Sequence, residues 1–209
     1  FARDSIKNSM KVGNGIKITN IQKKDQINLE LSQSINEFIK IKNIYKNIPE
    51  CQTNFVYSKQ KPKSTKDILG LTGRIVKAGN EVIVAGNLTY GGSKHVATAL
   101  LVVNKKFPQI QSAINLKYEK SAISKIKKSK FTVSSYDRIK ESKNNKIKGS
   151  SVEWGISNAI KNLKSPPDVI FHKGDFGKEP MIIIFGDKPK NILKKLSKIT
   201  EWNSSLKTS

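Results

Sequence analysis

From Ser93 onward the apolar residues keep switching period, between the i, i+3, i+4 spacing of a helix and short runs rich in β-branched residues. Val96, Ala99, Leu100 and Val103 recur at helical spacing. Ser112 to Leu116 then reads as a strand, Glu119 to Ser129 as a helix, Phe131 to Ser135 as a strand and Glu153 to Leu163 as a helix. Strands at Val169 to His172 and Met181 to Phe185 and a helix at Asn191 to Ile199 complete the series. A chain that alternates in this way buries both kinds of element by covering a sheet with helices, so the expected class is α/β. Ahead of Ser93 the pattern is β-rich: Asn54 to Ser58 reads as a strand, and Arg74 to Lys77 with Glu81 to Ala85 as a hairpin turning at Gly79 and Asn80. That start predicts a mixed rather than purely parallel central sheet, flanked by helices. In front lies an N-terminal helical extension. Phe1 to Val12 reads as a helix ending at Gly13 and Gly15, and Ile27 to Tyr45 as a linker helix ending before Pro49.

With 209 residues, of which 36% are hydrophobic, the chain can bury one sizeable core. Its longest apolar stretches, Ala97 to Val103 and Met181 to Phe185, fall well short of the roughly 18 residues a helix needs to cross a bilayer. Cys51 is the single cysteine and the N-terminus shows no secretory pattern, so a cytoplasmic setting is expected. The start at Phe1 rather than Met, with a helical pattern under way, reads as a piece of a longer polypeptide. A formal net charge of +23 raises nucleic acid as a partner. Lysine is spread along the whole chain, however, alternating with Ile and Asn, and no zinc-finger spacing, RNP-like aromatic octet or helix-turn-helix accompanies it. The pattern disfavours a nucleic-acid face and leaves a basic surface that attracts phosphorylated small molecules. The Lys, Ser and Asn-rich loop at Lys140 to Lys148 reads as mobile. Oligomeric state stays open, a homo-oligomer included.

The chemistry concentrates at loops between these elements. At Gly91, Gly92, Ser93, Lys94 and His95 two glycines precede Ser93 as a helix cap, and backbone N–H groups at a helix start suit a phosphate. The same residues also make a plain Ser-capped helix. The GSSVEWG segment carries Ser150 and Glu153 at capping-box spacing. The Gly174 to Pro180 loop packs Asp175, Lys178 and Glu179 between strands. A carboxylate pair beside a lysine suits Mg2+ held against a diphosphate, and it equally suits a charged hairpin loop. Of the two histidines, His95 at the Gly-Gly helix start is the better chemical candidate, whereas His172 sits on an apolar strand.

The segments GRIVKAGNEV, GGSKHVATALL, SAINLKY, VSSYDR, GSSVEWG and PDVIFHKGDFGKEPMIIIFGDKP follow one another in this order. Together they resemble the archaeal-type thiamine-phosphate synthase domain, which is often fused behind a hydroxymethylpyrimidine kinase. The resemblance covers about Ile48 to Ile199, and FARDSIKNSMKVGNG is similar to the last helix of that kinase. It implies a kinase-tail remnant over residues 1–25, a linker helix over 26–48, a synthase domain over 49–200 and a tail over 201–209. It also implies a covalently linked upstream kinase and a fold similar to the class II aldolase and adducin superfamily.

The reaction so implied joins hydroxymethylpyrimidine diphosphate to thiazole phosphate, giving thiamine monophosphate and pyrophosphate. The family's essential arginine and histidine match Arg74 and His95, expected to grip the diphosphate and to donate a hydrogen bond or proton to it as it leaves. Gly91, Gly92, Ser93 and Lys94 are expected at the phosphates, Lys178 as a supporting cation, and Asp175 and Glu179 as Mg2+ or substrate ligands. Ser134, Ser135, Asp137 and Arg138 either frame the second substrate or form a satisfied strand-end network. Two places depart from the family pattern. His172 stands where an acidic residue is more usual, and VGNGIKIT where a Gly-His-Gly-Pro segment is usual. The competing expectation is a thiamine-phosphate-binding sensor domain of a transcriptional regulator, a form that tends to lose the arginine and histidine kept here.

Overall fold

Strand pairing gathers the middle and end of the chain into one seven-stranded sheet in the order β5-β2-β1-β6-β9-β8-β7. Its strands are β1 (Phe55–Ser58), β2 (Ile68–Leu71), β5 (Leu88–Tyr90), β6 (Ser112–Lys117), β7 (Val133–Ser135), β8 (Val169–His172) and β9 (Met181–Gly186). A separate hairpin is formed by β3 (Arg74–Ala78) and β4 (Glu81–Ala85). This computed structural model describes residues 18–141 and 151–204, with side chains over 26–141 and 151–198. The expected helix at Phe1 to Val12, residues 142–148 of the lysine-rich loop, and Gly149 and Ser150 of GSSVEWG lie outside the described residues. The sheet is mixed, as expected: β7 and β8 run parallel and every other neighbouring pair runs antiparallel.

Alternation along the strands sorts side chains to two faces, because successive Cβ atoms point to opposite sides. Phe55, Tyr57, Ile114, Leu116, Val169, Phe171, Ile182 and Ile184 belong to one apolar cluster. Val56, Ile68, Ala113, Ile170, Ile183 and Phe185 belong to the other. A sheet apolar on both faces needs a helical layer on each. The helices α1 (Ile18–Ile39), α3 (Lys120–Lys128) and α5 (Pro189–Ser204) cover the first face through Leu31, Ile35, Phe38, Ile123, Ile126, Ile192 and Leu196. The helices α2 (His95–Lys106) and α4 (Ser151–Ile160) cover the second through Val96, Leu100, Val103, Ile156 and Ile160. Each fully buried Leu, Ile or Phe in these layers contributes about 1.5–3 kcal/mol.

The segment read as a linker helix carries Leu31, Ile35 and Phe38 into this core. It stops at Ile39 rather than Tyr45, and a short 3-10 turn (Ile44–Asn47) follows Asn43, whose φ of 61° interrupts the helix. The strands β2 and β5 were not anticipated, being three or four residues long with little alternation to read. Gly70 in β2 lets the following turn approach: a Cβ there would lie 3.0 Å from the Ser93 Cβ.

Register fixes what meets at one end of the sheet. Lys117 pairs with Met181, which pairs with His172, while Ser135 pairs with Phe171 of the neighbouring strand. Phe55 pairs with Ile114 near this end, and the segment before it bridges to β3 through Thr53 and Ile75. Helix α2 leads down to Ser112 at the opposite end, so its N-terminus, with His95, lies back toward the first.

Candidate active site

Arg74 opens β3 beside the segment from Glu50 to Asn54, and the register of the hairpin holds it there through the Thr53–Ile75 bridge. Its Nη1 donates to the carbonyl of Cys51. That carbonyl is itself held in place, because the N–H groups of Glu50 and Cys51 donate to Glu179 Oε1 and Oε2 at 2.8 and 3.0 Å. Glu179 thus ties the loop before β9 to the residue that receives Arg74. The carboxylate expected as a metal or substrate ligand has both oxygens engaged by backbone.

His95 begins α2. The residue at the N-cap is Lys94, with no side-chain cap bond, whereas Ser93, expected as the cap, is buried beneath the turn. The reason lies in the glycines. Gly91 has φ +82°, and a Cβ on Gly92 would meet the Gly70 carbonyl oxygen at 2.4 Å, so the turn presses onto β2 and carries Ser93 inward. Among the described residues no side-chain cap is found at the start of α2, and the positive end of the helix dipole faces the same region. His95 is exposed at the surface, yet partial desolvation lowers its pKa, and so do the charges of Arg74, Lys94, Lys178 and Arg138, in that order. Four cations from four separate segments act on one neutral imidazole.

A cleft of about 980 Å³ opens beside this cluster, lined by Ser135, Tyr136, Asp137, Trp154, Phe176 and Lys178 among others. Of the predicted residues, Ser135, Asp137, Asp175 and Lys178 line it, and Arg74, His95 and Lys94 do not. Ser134 turns away, donating its hydroxyl to the Ala159 carbonyl at 2.6 Å and so fastening β7 to α4. Asp137 caps a short turn, its Oδ1 accepting the Ile139 N–H at 3.0 Å. Arg138 is buried, 3.7 Å from Glu141, with its Nε unpartnered among the described residues. Its charge lowers the pKa of both histidines, ranking last among the influences on each. Tyr136 stands edge-on to Trp154 at 6.3 Å and packs on the backbone of α4 at Gly155, where a Cβ would come within 2.2 Å of its ring. The glycine of GSSVEWG is explained by that contact.

Some positioning residues escaped the sequence reading. Asn54 accepts the Leu71 N–H at 3.1 Å and donates to the Leu71 carbonyl at 2.8 Å. Asn115 accepts the Asn54 N–H at 2.7 Å and donates to the Gln52 carbonyl at 2.9 Å. Both are buried, and together they lock β1, β2 and β6 beneath Arg74. The signal was there: an amide side chain inside an apolar strand must find partners.

Among the described residues, no group of three or more His, Cys, Asp or Glu side chains is arranged to hold a metal ion. Asp175 Oδ1 accepts the Phe176 N–H at 2.8 Å while Glu179 faces Glu50 and Cys51, so the two carboxylates serve different partners. Nor is any helix among them long and apolar enough to cross a membrane.

Residues 30–198 match the family model described as thiamine-phosphate synthase ThiN. The thiamine-phosphate synthase ThiN of Methanothermobacter thermautotrophicus is 35% identical over 161 residues, covering 77% of this chain and 85% of that protein. The bifunctional thiamine biosynthesis protein ThiDN of Methanocaldococcus jannaschii is 38% identical over 161 residues, but the chain spans only 37% of its length. Among solved structures, the C-terminal domain of a phosphomethylpyrimidine kinase superposes with a TM-score of 0.79 at 43% identity, covering 84% of this chain and 99% of that one.

Proposed function

The chain belongs to the thiamine-phosphate synthase ThiN family, and from that premise we propose that Arg74 and His95 form the centre at which it releases pyrophosphate. Its activity is that of a thiamine-phosphate synthase: hydroxymethylpyrimidine diphosphate and thiazole phosphate give thiamine monophosphate and pyrophosphate. The bond from the pyrimidine methylene carbon to the diphosphate oxygen breaks, and the thiazole nitrogen lone pair forms the new carbon–nitrogen bond. The thiazole nitrogen carries no proton to remove, so the step asks for no general base. It asks for positive charge where the diphosphate departs and for alignment of two substrates.

The observation that supports this reading is that the charges of Arg74, Lys94, Lys178 and Arg138 all act on His95 at the start of α2, where Lys94 makes no side-chain cap bond. Such a cluster repels itself until an anion completes it. Arg74 binds a terminal phosphate through its guanidinium, and Lys94, Lys178 and the α2 amides take the remaining oxygens. His95 is neutral in the free protein because partial desolvation and its cationic neighbours keep its pKa low. A diphosphate reverses that balance and lets His95 hold a proton against the departing oxygen. Ser135, Asp137 and the cleft take the second substrate.

Mg2+ supplies charge neutralisation to a departing diphosphate. A protein-built cage does not match the donors present. Mg2+ keeps water and phosphate oxygens as ligands, and Asp175, which lines the cleft, is the member of the expected pair that would meet it, Glu179 being committed to Glu50 and Cys51. In the full polypeptide we place this domain behind a kinase, as the ThiDN relative and the C-terminal domain of the phosphomethylpyrimidine kinase support, and in the cytoplasm.

The test is incubation of the chain with both substrates and chromatographic detection of thiamine monophosphate. Arg74→Ala and His95→Ala should each lower turnover by about 10²-fold or more with circular dichroism unchanged. Near-parental turnover in both would overturn the assignment. Binding of thiamine monophosphate by the parent with no turnover would favour the sensor instead.

A further inference from the structure

Exposed large apolar side chains are few among the described residues: Leu29, Ile83, Ile139 and Phe176. Two of them, Ile139 and Phe176, line the same cleft, and Phe176 is fully exposed at its rim. Its display is constructed rather than loose. The Asp175 N–H donates to the Lys178 carbonyl at 3.1 Å, the Lys178 N–H returns to the Asp175 carbonyl at 2.8 Å, and the Phe176 N–H is held by Asp175 Oδ1 at 2.8 Å. Gly174, at φ +83°, permits the turn, since a Cβ there would meet the Lys178 carbonyl oxygen at 2.4 Å. An aromatic ring is thus presented by a tied two-residue turn, in a cleft that also contains the Tyr136–Trp154 pair.

We propose that Phe176 is the stacking cap for the thiazole ring of the second substrate, and that this cleft is where the thiazole phosphate is held. The inference rests on the synthase reading above. Its charge fits a single phosphate: Lys140, Lys173 and Lys178 line the cleft against Asp137 and Asp175, and both aspartates already accept backbone N–H groups. Arg74 and His95 lie outside the lining and are occupied by the diphosphate, so the two substrates take adjacent places. Lys178 lines the cleft and also acts on His95, which makes it the shared cation between them. A heteroaromatic ring between Phe176 and the Tyr136–Trp154 wall buries the more exposed of the two large apolar groups left uncovered at the site. The volume, about 980 Å³, is ample for a ring bearing one phosphate and leaves room beside it.

Two measurements test the assignment. Trp154 is the sole tryptophan in a Trp202→Phe background, so its emission reports the cleft. Thiazole phosphate, titrated in the presence of pyrophosphate, should quench it, and Phe176→Ala should weaken that binding about tenfold, the scale of one aromatic stack. Phe176→Tyr should restore it. In steady-state kinetics, KM for thiazole phosphate should rise by the same factor in Phe176→Ala while KM for the pyrimidine diphosphate stays within about twofold, well below one stack. Equal affinities in parent and variant would overturn the proposal. So would a drop in oligomeric state by light scattering with both KM values moving together, which would make Phe176 a contact between copies. Thiazole phosphate binding that depends on Phe176, in a parent that makes no thiamine monophosphate, would refute the synthase reading and leave this one standing.

Discussion

His172 offers a measurement whose size follows from the structure. The side chain is buried on β8, its ring 5.0 Å from that of Tyr136, and its Nδ1 accepts the Gly174 N–H at 3.2 Å. Burial, and after it the charge of Arg138, lowers its pKa from the ordinary 6.5 to about 4. The folded state therefore prefers the neutral ring, while the unfolded chain binds a proton near pH 6.5. Stability from this group is complete above pH 6.5, declines as the pH falls from 6.5 to about 4, and loses nothing further below that. At about 1.4 kcal/mol per decade, the whole interval is worth about 3 kcal/mol. The informative substitution is His172→Asn, whose Oδ1 can accept the Gly174 N–H in place of Nδ1 but cannot titrate. Loss of ring packing should lower stability at pH 7.5 by about 1–2 kcal/mol. Urea unfolding followed from pH 7.5 to 4.5 should then show the parent losing about 2–3 kcal/mol more than the variant. His95, also lowered, adds a slope of the same sign to both proteins, so the difference isolates His172. Parallel stability curves for the two proteins would refute the reasoning, as would an imidazole titration near 6.5 by NMR.

Other outcomes follow from the same contacts. Gly155→Ala would place a Cβ 2.2 Å from the Tyr136 ring, and Gly92→Ala one 2.4 Å from the Gly70 carbonyl oxygen. Each should cost about 3 kcal/mol, or about 10 °C in Tm by calorimetry, and wild-type melting in either would show that the contact relaxes freely. Although Cys51 is exposed, partial desolvation and then the Glu179 carboxylate push its thiol up to about 11. Iodoacetamide at pH 8 should thus alkylate Cys51 slowly and the Glu179→Gln protein several-fold faster, and equal rates would remove Glu179 as a cause. Pyrophosphate binding at pH 7 should take up a proton, measured by calorimetry in buffers of different ionisation enthalpy. His95→Ala should abolish the uptake, and an unchanged uptake would assign it to another group.

The layered fold was legible because apolar period is written into every long element. Ile182, Ile183, Ile184 and Phe185 form a continuous run because β9 is covered on both faces, and the helices over it keep their three-to-four spacing. Elements without a period were lost. The strands β2 and β5 are held by neighbours rather than by pattern, and α1 looked like a connector because nothing in its own spacing says what it packs against. Burial of Leu31, Ile35 and Phe38 against the sheet is a tertiary fact.

The site divides along the same line. Residue types that carry chemistry, such as Arg74, His95, Asp175 and Lys178, stand out in a sequence because their charge or their glycine neighbours are local. The ties that aim them are not local. Glu179 and Cys51 are 128 residues apart, yet one hydrogen bond between them sets the carbonyl that receives Arg74. From sequence, Glu179 is one more carboxylate near a lysine and reads as a ligand. In the fold each of its two oxygens accepts a backbone N–H, and through these bonds it fixes the segment whose carbonyl receives Arg74. The same holds for His172, where a carboxylate was the expected residue. Beside the buried charge of Arg138 a carboxylate would form an ion pair and draw the guanidinium toward β8. A neutral histidine exerts no such pull, and Arg138 keeps Tyr136 and Glu141 as its partners, with its Nε unpartnered among the described residues. Its charge, paired with Glu141, still lowers the pKa of His95.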